Sequence, residues 1–224
     1  MGNRLCYAFV VMIGFVFFMI SCQKEERQLI DPNIDTTIPK DSQLADLMRS
    51  IVIHDGSYDD VVDGGNCYSI NLPYSIIRNS TEEIEINQIS DYNQLNTSDN
   101  IQIQFPITIT KSDHTEEIVE DLNALQSLAI GCDMDDPDIE CIDFVYPLRF
   151  LTFNFDINVF ETTEVIHDAE VFVFMENLEE STVVSIDFPI RLLLHNGESV
   201  EATHNDELLS RIISFANSCD ENDG

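Results

Sequence analysis

The residues best suited to metal chemistry are a run of closely spaced aspartates in the middle of the chain, namely Asp133, Asp135, Asp136 and Asp138. Hard carboxylate oxygens are the ligands that Ca²⁺ takes in proteins, so this run is a candidate for a weak calcium site. The run departs from the EF-hand pattern, because no glycine follows and no glutamate stands at the twelfth position. We therefore favour a solvated acidic linker, with the weak calcium site as the alternative. A second acidic group ranks lower as a calcium candidate and consists of Asp59, Asp60 and Asp63.

Three histidines fall at equivalent places in an internal repeat, near predicted helix starts: His114, His167 and His204. No cysteine, histidine or aspartate recurs with them at ligand spacing, so we predict helix-cap positions and not a metal site. The sequence contains no G-x-S-x-G, H-E-x-x-H, P-loop or G-x-G-x-x-G motif, which predicts a non-catalytic protein. A secreted hydrolase with a carboxylate pair is the less favoured alternative.

Composition narrows the choice of partners. The 224 residues include 42 acidic and 10 basic side chains, which give a net charge of −32. Nucleic acid is not expected as a partner, because its binding needs a basic surface that replaces counterions. The apolar share of 44% is too high for a wholly disordered chain.

Residues 1–21 have the composition of a secretory signal. Arg4 is the only charged side chain before an apolar run over residues 5–20. Met19 to Cys22 resemble a bacterial lipobox, in which the thiol of the cysteine receives diacylglycerol and becomes the mature N-terminus. The lipid attachment site is therefore predicted at Cys22. An uncleaved helical anchor is the alternative, but the apolar run is shorter than the roughly 20 residues that span a bilayer.

The segment after Cys22 predicts where the protein lies. Its Lys-Glu-Glu at residues 24–26 resembles the surface-export signal of Bacteroidota lipoproteins, which implies an outer-membrane protein that faces outward. The start of a solvated linker is the alternative. Residues 22–40 are polar and predict a flexible stalk. Residues 41–65 predict a short amphipathic helix followed by an acidic, turn-rich bridge.

From Cys67 onward the chain repeats itself. Cys67 and Cys141 each precede a proline by six residues, and residues 103–107 (IQFPI) match residues 186–190 (IDFPI). Each copy is itself doubled, as a proline-containing strand, a second strand and a capped helix. We therefore predict an α+β fold of two tandem ββαββα repeats, each an antiparallel sheet with helices on one face. The predicted segments are repeat domain 1 (66–132), an acidic linker (133–140), repeat domain 2 (141–219) and an acidic tail (220–224).

Local patterns predict the strands and helices. Alternation of apolar and polar residues predicts strands over 101–105, 107–110 and 153–159. Apolar residues at helical spacing predict helices over 44–51, 122–129, 171–178 and 208–216. Asn196-Gly197 predicts a hairpin turn. One set of aromatic residues is predicted to be core, with an exposed sticky face as the alternative: Phe144, Phe150, Phe153, Phe155 and Phe160.

Four cysteines remain after the signal peptide and the lipidated cysteine. They allow three pairings, of which the repeat selects Cys67–Cys132 and Cys141–Cys219. Each bond would join the first strand of a repeat to its last helix, and export through an oxidising periplasm permits both bonds. A zinc site of four thiolates is the alternative, but the sequence has no close C-x-x-C pair.

Several segments resemble a group of uncharacterised lipoproteins from Flavobacteriia. They are residues 44–47 (LADL), 55–57 (DGS), 139–147 (IECIDFVYP) and 186–190 (IDFPI). The resemblance covers most of the chain after the signal peptide. It implies a surface or outer-membrane lipoprotein with tandem cysteine-bounded repeats, and it implies no activity.

The sequence therefore predicts an outer-membrane, surface-exposed lipoprotein, anchored in the bilayer by its N-terminal lipid. It would serve as a non-catalytic binding or adhesion module for a protein or glycan ligand. The alternative is a structural or accessory subunit that docks on another outer-membrane protein. An exposed apolar patch distinguishes the two, because docking requires one and the first function does not. Apart from weak calcium binding, no cofactor is expected.

Overall fold

The computed structural model describes residues 37–130 and 138–217. Within these ranges the protein has a mixed α+β fold with several antiparallel sheets and few helices. The strands are β1 (Thr37–Ile38), β2 (Tyr68–Ile70), β3 (Tyr74–Arg78), β4 (Glu82–Ile86), β5 (Ile101–Ile103), β6 (Ile107–Lys111), β7 (Glu116–Val119), β8 (Ile142–Phe144), β9 (Leu148–Asn154), β10 (Val159–Val165), β11 (Thr182–Ile186), β12 (Ile190–Leu194) and β13 (Ser199–Ala202). The α-helices are α1 (Gln43–Val52), α2 (Asp60–Asp63), α3 (Leu122–Ala129), α4 (Asp168–Glu176) and α5 (Asn205–Ala216). Ser57–Asp59 and Ile89–Gln94 form 3₁₀ turns.

The strands pair in antiparallel sheets with the orders β1-β11-β9-β10, β13-β12-β8, β2-β6-β7 and β4-β3-β5. Prolines stand where one strand ends and the next begins in a different sheet: Pro73, Pro106, Pro147 and Pro189. Proline has no backbone N–H to give to a ladder, so pairing is interrupted there. Each interrupted strand therefore belongs to two sheets.

Two of the three predicted alternating strands are confirmed, as β5 and β6. The prediction of one strand over 153–159 is wrong, because the chain reverses between β9 and β10. The Asn154 side chain accepts hydrogen bonds from the backbone amides of Asp156 and Ile157, at 2.9 and 3.2 Å. Asn158 has a φ of 55°, a left-handed conformation that asparagine tolerates well. The local turn chemistry thus overrides the apolar alternation.

The helix predictions are confirmed in place, with small shifts at the ends. Ser42 caps α1, since its hydroxyl accepts a hydrogen bond from the Ala45 amide at 3.3 Å. Helix α4 ends at Glu176, before the predicted limit at residue 178. The predicted Asn196-Gly197 turn is also confirmed between β12 and β13, where Gly197 has a φ of 82°.

Two separate hydrophobic cores fill the described part of the chain, which belongs to one compact unit. The first core is drawn from residues 68–125. The second core is drawn from residues 139–212 together with residues 38–52. The buried face of α1 therefore packs against residues that follow it by about a hundred positions. Leu44, Met48 and Ile51 supply much of that face.

The predicted stalk ends earlier than residue 40. Thr37 and Ile38 form β1, which pairs with β11, and Ile38 is buried in the second core. The Thr37 carbonyl accepts a hydrogen bond from the Asn205 side chain at 2.9 Å. Lys40 donates to the Leu178 carbonyl at 2.9 Å. Backbone pairing and burial thus fix residues 37–40 to the second core.

The end of the predicted acidic linker is also part of the fold. Ile139 is buried in the second core, and its amide donates to the Ser50 carbonyl of α1 at 2.9 Å. Asp138 is buried as well. The linker prediction is therefore wrong for residues 138–140, since an apolar side chain and a backbone hydrogen bond anchor them. Residues 133–137 lie outside the described residues.

Candidate functional site

An exposed apolar surface covers the end of the β9–β10 hairpin. Phe160 is 82% exposed, Ile157 is 68% exposed and Phe155 is 62% exposed. The prediction that the Phe-rich segment is core holds for Phe144 and Phe150, which are buried, and is wrong at the hairpin. Scattered apolar side chains are common on protein surfaces, but a contiguous exposed patch marks a binding surface.

Three aromatic rings on one face of this hairpin pack together as an aromatic cluster, which consists of Phe153, Phe155 and Phe160. Phe153 lies directly opposite Phe160 in the β9–β10 register, and their ring centroids are 4.4 Å apart. The centroids of Phe153 and Phe155 are 5.0 Å apart, with the rings edge to face at 85°. Such aromatic pairs stabilise one another beyond the area that they bury. The cluster is therefore an ordered surface, although much of it faces outward.

The other face of the hairpin forms a groove of about 760 Å³ against helix α4, which we call the hairpin groove. Its apolar lining includes Ile157, Val159, Val173 and Leu178. Successive side chains of a strand point to opposite faces, so the same hairpin carries the aromatic cluster on one face and this groove on the other. Both apolar surfaces lie at the same end of the sheet.

Acidic side chains surround this end of the hairpin. Asp156 stands in the β9–β10 turn, while Glu161 and Glu179 line the hairpin groove. Glu179 accepts a hydrogen bond from the Asn154 side chain at 3.2 Å. The site therefore combines an apolar centre with a negatively charged rim.

A second candidate site is a cleft of about 330 Å³ that contains a carboxylate triad. Asp55, Asp138 and Glu140 each place one oxygen within 4.8 Å of the other two. The Ser57 hydroxyl lies between two of them, 2.8 Å from Asp55 and 3.1 Å from Glu140. Three carboxylates could supply part of the six to eight oxygen ligands that Ca²⁺ takes. The triad joins residues far apart in the sequence, so no spacing pattern could have predicted it.

Two histidines line the same cleft, with their rings 5.7 Å apart. His114 Nε2 lies 2.6 Å from the Val52 carbonyl, and His54 Nε2 lies 2.6 Å from the Ser69 hydroxyl. Burial, followed by the charge of His114, lowers the pKa of His54. The neutral form of His54 is therefore favoured, and both rings serve as hydrogen-bonding partners inside the fold.

The three histidines predicted at helix caps have two different roles. His167 and His204 are the N-cap residues of α4 and α5, as predicted. Their side chains do not cap the backbone; Glu170 accepts from the Ile166 amide and Glu207 from the Thr203 amide instead. The prediction is wrong for His114, which has a φ of 63° and lies in the turn between β6 and β7.

Of the four aspartates in the predicted calcium run, one is among the described residues. Asp138 belongs to the carboxylate triad, whereas Asp133, Asp135 and Asp136 lie outside the described residues. The lipid attachment site at Cys22 also lies outside them. These calcium and lipid assignments remain predictions.

Two of the four cysteines predicted to form disulfides, Cys67 and Cys141, are among the described residues. Neither Cys67 nor Cys141 is a free thiol. Cys67 directly precedes β2, and Cys141 packs against the second core beside β8. Their predicted partners, Cys132 and Cys219, lie outside the described residues, so the pairing remains a prediction.

No family model, curated protein or solved structure matches this chain. In the ranges 37–130 and 138–217, none of the helices has the length and apolar character needed to cross a membrane. The function is therefore inferred from the residues of this chain alone.

Proposed function

We propose that the protein is a lipid-anchored, non-catalytic binding module of the outer membrane that docks on another envelope protein through the β9–β10 hairpin. The lipobox at Met19 to Cys22 and the export signal at residues 24–26 support the location and the outward orientation. The exposed aromatic cluster carries the docking part of the proposal. It favours the accessory-subunit function over a general adhesion module, since only docking requires an apolar surface.

The same proposal includes an architecture of two ββαββα repeats. The prolines at 73 and 106 interrupt strands in the first copy as those at 147 and 189 do in the second. The pairing of β2 with β6 and of β3 with β5 corresponds to that of β8 with β12 and of β9 with β11. The copies differ after their third strand, where the first has the 3₁₀ turn Ile89–Gln94 and the second has α4. Duplication of one unit explains these correspondences.

Charge narrows the partner to a protein with an apolar centre and a basic rim. A second copy of this chain would bring another net charge of −32 to an acidic rim, and anionic lipid would be repelled in the same way. A basic rim would instead pair with Asp156, Glu161 and Glu179 around the apolar centre. Complementary charge of this kind accelerates encounter and fixes orientation.

The test is a photo-crosslinking amino acid placed at Phe160 of the full chain in living cells. We expect one discrete adduct with a second protein, and we expect the additional substitution Phe155→Ser to remove it. The purified partner should bind the wild-type protein at least tenfold more tightly than the Phe160→Ser variant. Binding should weaken with salt, because the charged rims are screened.

Two controls keep the outcome interpretable. The crosslinker at Ile118, an exposed apolar residue on β7, should give no such adduct. Phe160→Ser should lower the free energy of unfolding by no more than about 1.5 kcal/mol, because the exposed ring contributes mainly its pairing with Phe153. An adduct with lipid, one with a second copy of the chain, or the same adduct from position 118 would refute docking through the hairpin.

A further inference from the structure

At the short helix α2, Asp59 and Asp63 each have one carboxylate oxygen that accepts a backbone hydrogen bond and one that has no partner among the described residues. Asp59 is 0% exposed, and its Oδ2 accepts a hydrogen bond from the Ile70 amide at 2.7 Å. Asp63 Oδ1 accepts from the Gly65 amide at 3.1 Å. Asp59 Oδ1 and Asp63 Oδ2 are buried and have no hydrogen-bond partner among the described residues. Backbone amides therefore orient both carboxylates before any ligand binds.

The hydroxyl of Tyr68 is an independent sign of a ligand at this place. Tyr68 is only 2% exposed, and its hydroxyl has no hydrogen-bond partner in the described part of the chain. The hydroxyl oxygen lies 3.5 Å from the position that a Cβ on Gly65 would occupy, next to the amide that binds Asp63. Burial, followed by the charges of Asp63 and Asp59, raises the pKa of Tyr68. The hydroxyl is thus a neutral oxygen close enough to both carboxylates for their charges to act on it, and it lines the same cavity as Asp63.

The electrostatics of this group favour either a proton or a bound cation over two bare carboxylates. Burial is the main cause that raises the pKa values of Asp59 and Asp63, and neighbouring carboxylates add to it. Asp60 and Asp55 are the acidic neighbours of Asp59, and Asp59 and Asp60 are those of Asp63. Among the described residues, no lysine, arginine or histidine forms an ion pair with Asp59 or Asp63. Buried carboxylates without a cation are costly, and bound metal relieves that cost.

We propose that Asp59, Asp63 and Tyr68 form an internal cation site that binds Ca²⁺. Two carboxylate oxygens and a hydroxyl are hard donors, and two negative charges match a divalent ion. Ca²⁺ accepts irregular geometry, whereas Mg²⁺ demands a near-ideal octahedron and dehydrates reluctantly. A cavity of about 390 Å³, lined by Asp63, Tyr68, Leu125 and Gln126, gives the ion a route from the side of α3. The site is distinct from the carboxylate triad at Asp55, which lines a different cleft.

Calcium titration of the purified full chain, followed by calorimetry and thermal unfolding, tests this site. We expect one Ca²⁺ to bind with a Kd that Asp63→Asn weakens at least tenfold and Tyr68→Phe weakens at least threefold. Ca²⁺ should raise the Tm of the wild-type protein more than Mg²⁺ or matched NaCl does. Asp63→Asn should abolish that rise while retaining the folded state, which circular dichroism checks.

Matched variants separate this site from general charge screening. Asp156→Asn removes an exposed aspartate, and the double variant Asp55→Asn, Glu140→Gln removes most of the triad; both should retain the site that Asp63→Asn loses. A Tm that NaCl raises as much as Ca²⁺ overturns the proposal. Calcium binding that survives Asp63→Asn, or that disappears only in the triad variant, overturns it as well.

Discussion

Burial raises the pKa of Asp59 to about 7 and that of Asp63 to about 8, with neighbouring aspartates adding to the effect. In the unfolded chain both groups titrate near the ordinary value of about 3.9. Between that value and the raised ones, the folded state holds protons that the unfolded state has lost. The contribution of this pair to the free energy of unfolding is therefore largest in acid and decreases as the pH rises to about 8.

Asp63→Asn removes one of these titrations. In the presence of a chelator, we expect the free energy of unfolding of wild type to fall by about 4 kcal/mol relative to that of the variant between pH 5 and pH 9, because roughly three pH units separate pH 5 from the raised pKa of about 8. Urea denaturation at several pH values measures the difference. Asp156→Asn should follow the wild-type curve throughout. Parallel curves for Asp63→Asn and wild type would show that the carboxyl group is not perturbed.

Residue types in the sequence mark such sites poorly. Asp59, Asp60 and Asp63 read as one more acidic group in an acidic chain, because nothing in their spacing reveals that Ile70 and Gly65 hold two of them inside. His114 shows the converse, since its position in the repeat predicts a helix cap while its backbone forms a turn. Burial and backbone conformation depend on contacts that local sequence does not encode.

At the scale of elements, the predicted disulfides concern the first strand and the last helix of each copy. Tyr68, which follows Cys67, lines the same cavity as Ala129 at the end of α3. In the other copy, Ala216 at the end of α5 and Cys141 both pack against the second core. In the sequence, Cys132 and Cys219 each follow the last residue of the helix concerned by three positions.

Peptide mapping of the unreduced protein should therefore find Cys67–Cys132 and Cys141–Cys219. In the chain-entropy model each bond closes a long loop and stabilises the fold by roughly 4 kcal/mol, so reduction should lower the urea midpoint strongly. Mass spectrometry of the digest with and without reductant makes the measurement. A disulfide between Cys67 and Cys141, or between any other cysteines of the two copies, would contradict the repeat-based pairing.

The positions of most strands and helices were predictable from the sequence, whereas the residues that pack against them were not. Alternation identified β5 and β6, and helical spacing with a serine cap identified α1, because these patterns follow from one buried face. The same reasoning failed at Phe155 and Phe160. A turn begins at Asn154, and within residues 37–130 and 138–217 no layer covers Phe155 and Phe160, which are 62% and 82% exposed. A pattern predicts that a face is apolar, but it does not say what covers that face.

At the scale of the whole molecule, α1 is the clearest case of a helix whose apolar pattern does not reveal which residues cover it. Its amphipathic pattern predicts a buried face, and the structure shows that the face belongs to the second core and not to the adjacent first one. Arg49 of α1 also lies 3.7 Å from Glu176 at the end of α4. The predicted short helix is therefore a structural part of the second copy, whereas Tyr58, Val61 and Val62 of the acidic bridge pack against the first core.

Substitution in α1 should thus destabilise the distant half of the chain. Met48→Ala should cost about 2–5 kcal/mol, because the side chain is fully buried. Hydrogen exchange should show lost protection over β8 to α5 and little change over β2 to α3. Leu125→Ala, in the first core, should give the opposite pattern. Equal loss of protection in both halves after Met48→Ala would mean that the two cores unfold as one.

The position of α1 also sets a sequence of events during synthesis. The chain is made from its N-terminus, so α1 emerges before any of the residues 139–212 that cover its apolar face. The first core is complete once Leu125 has been made, whereas the second core waits for Leu208 and Ile212 near the end of the chain. Contacts between distant segments form slowly. The earliest helix of the fold is therefore among the last to be buried, and a chain that stops short of α5 leaves that helix with its apolar side exposed.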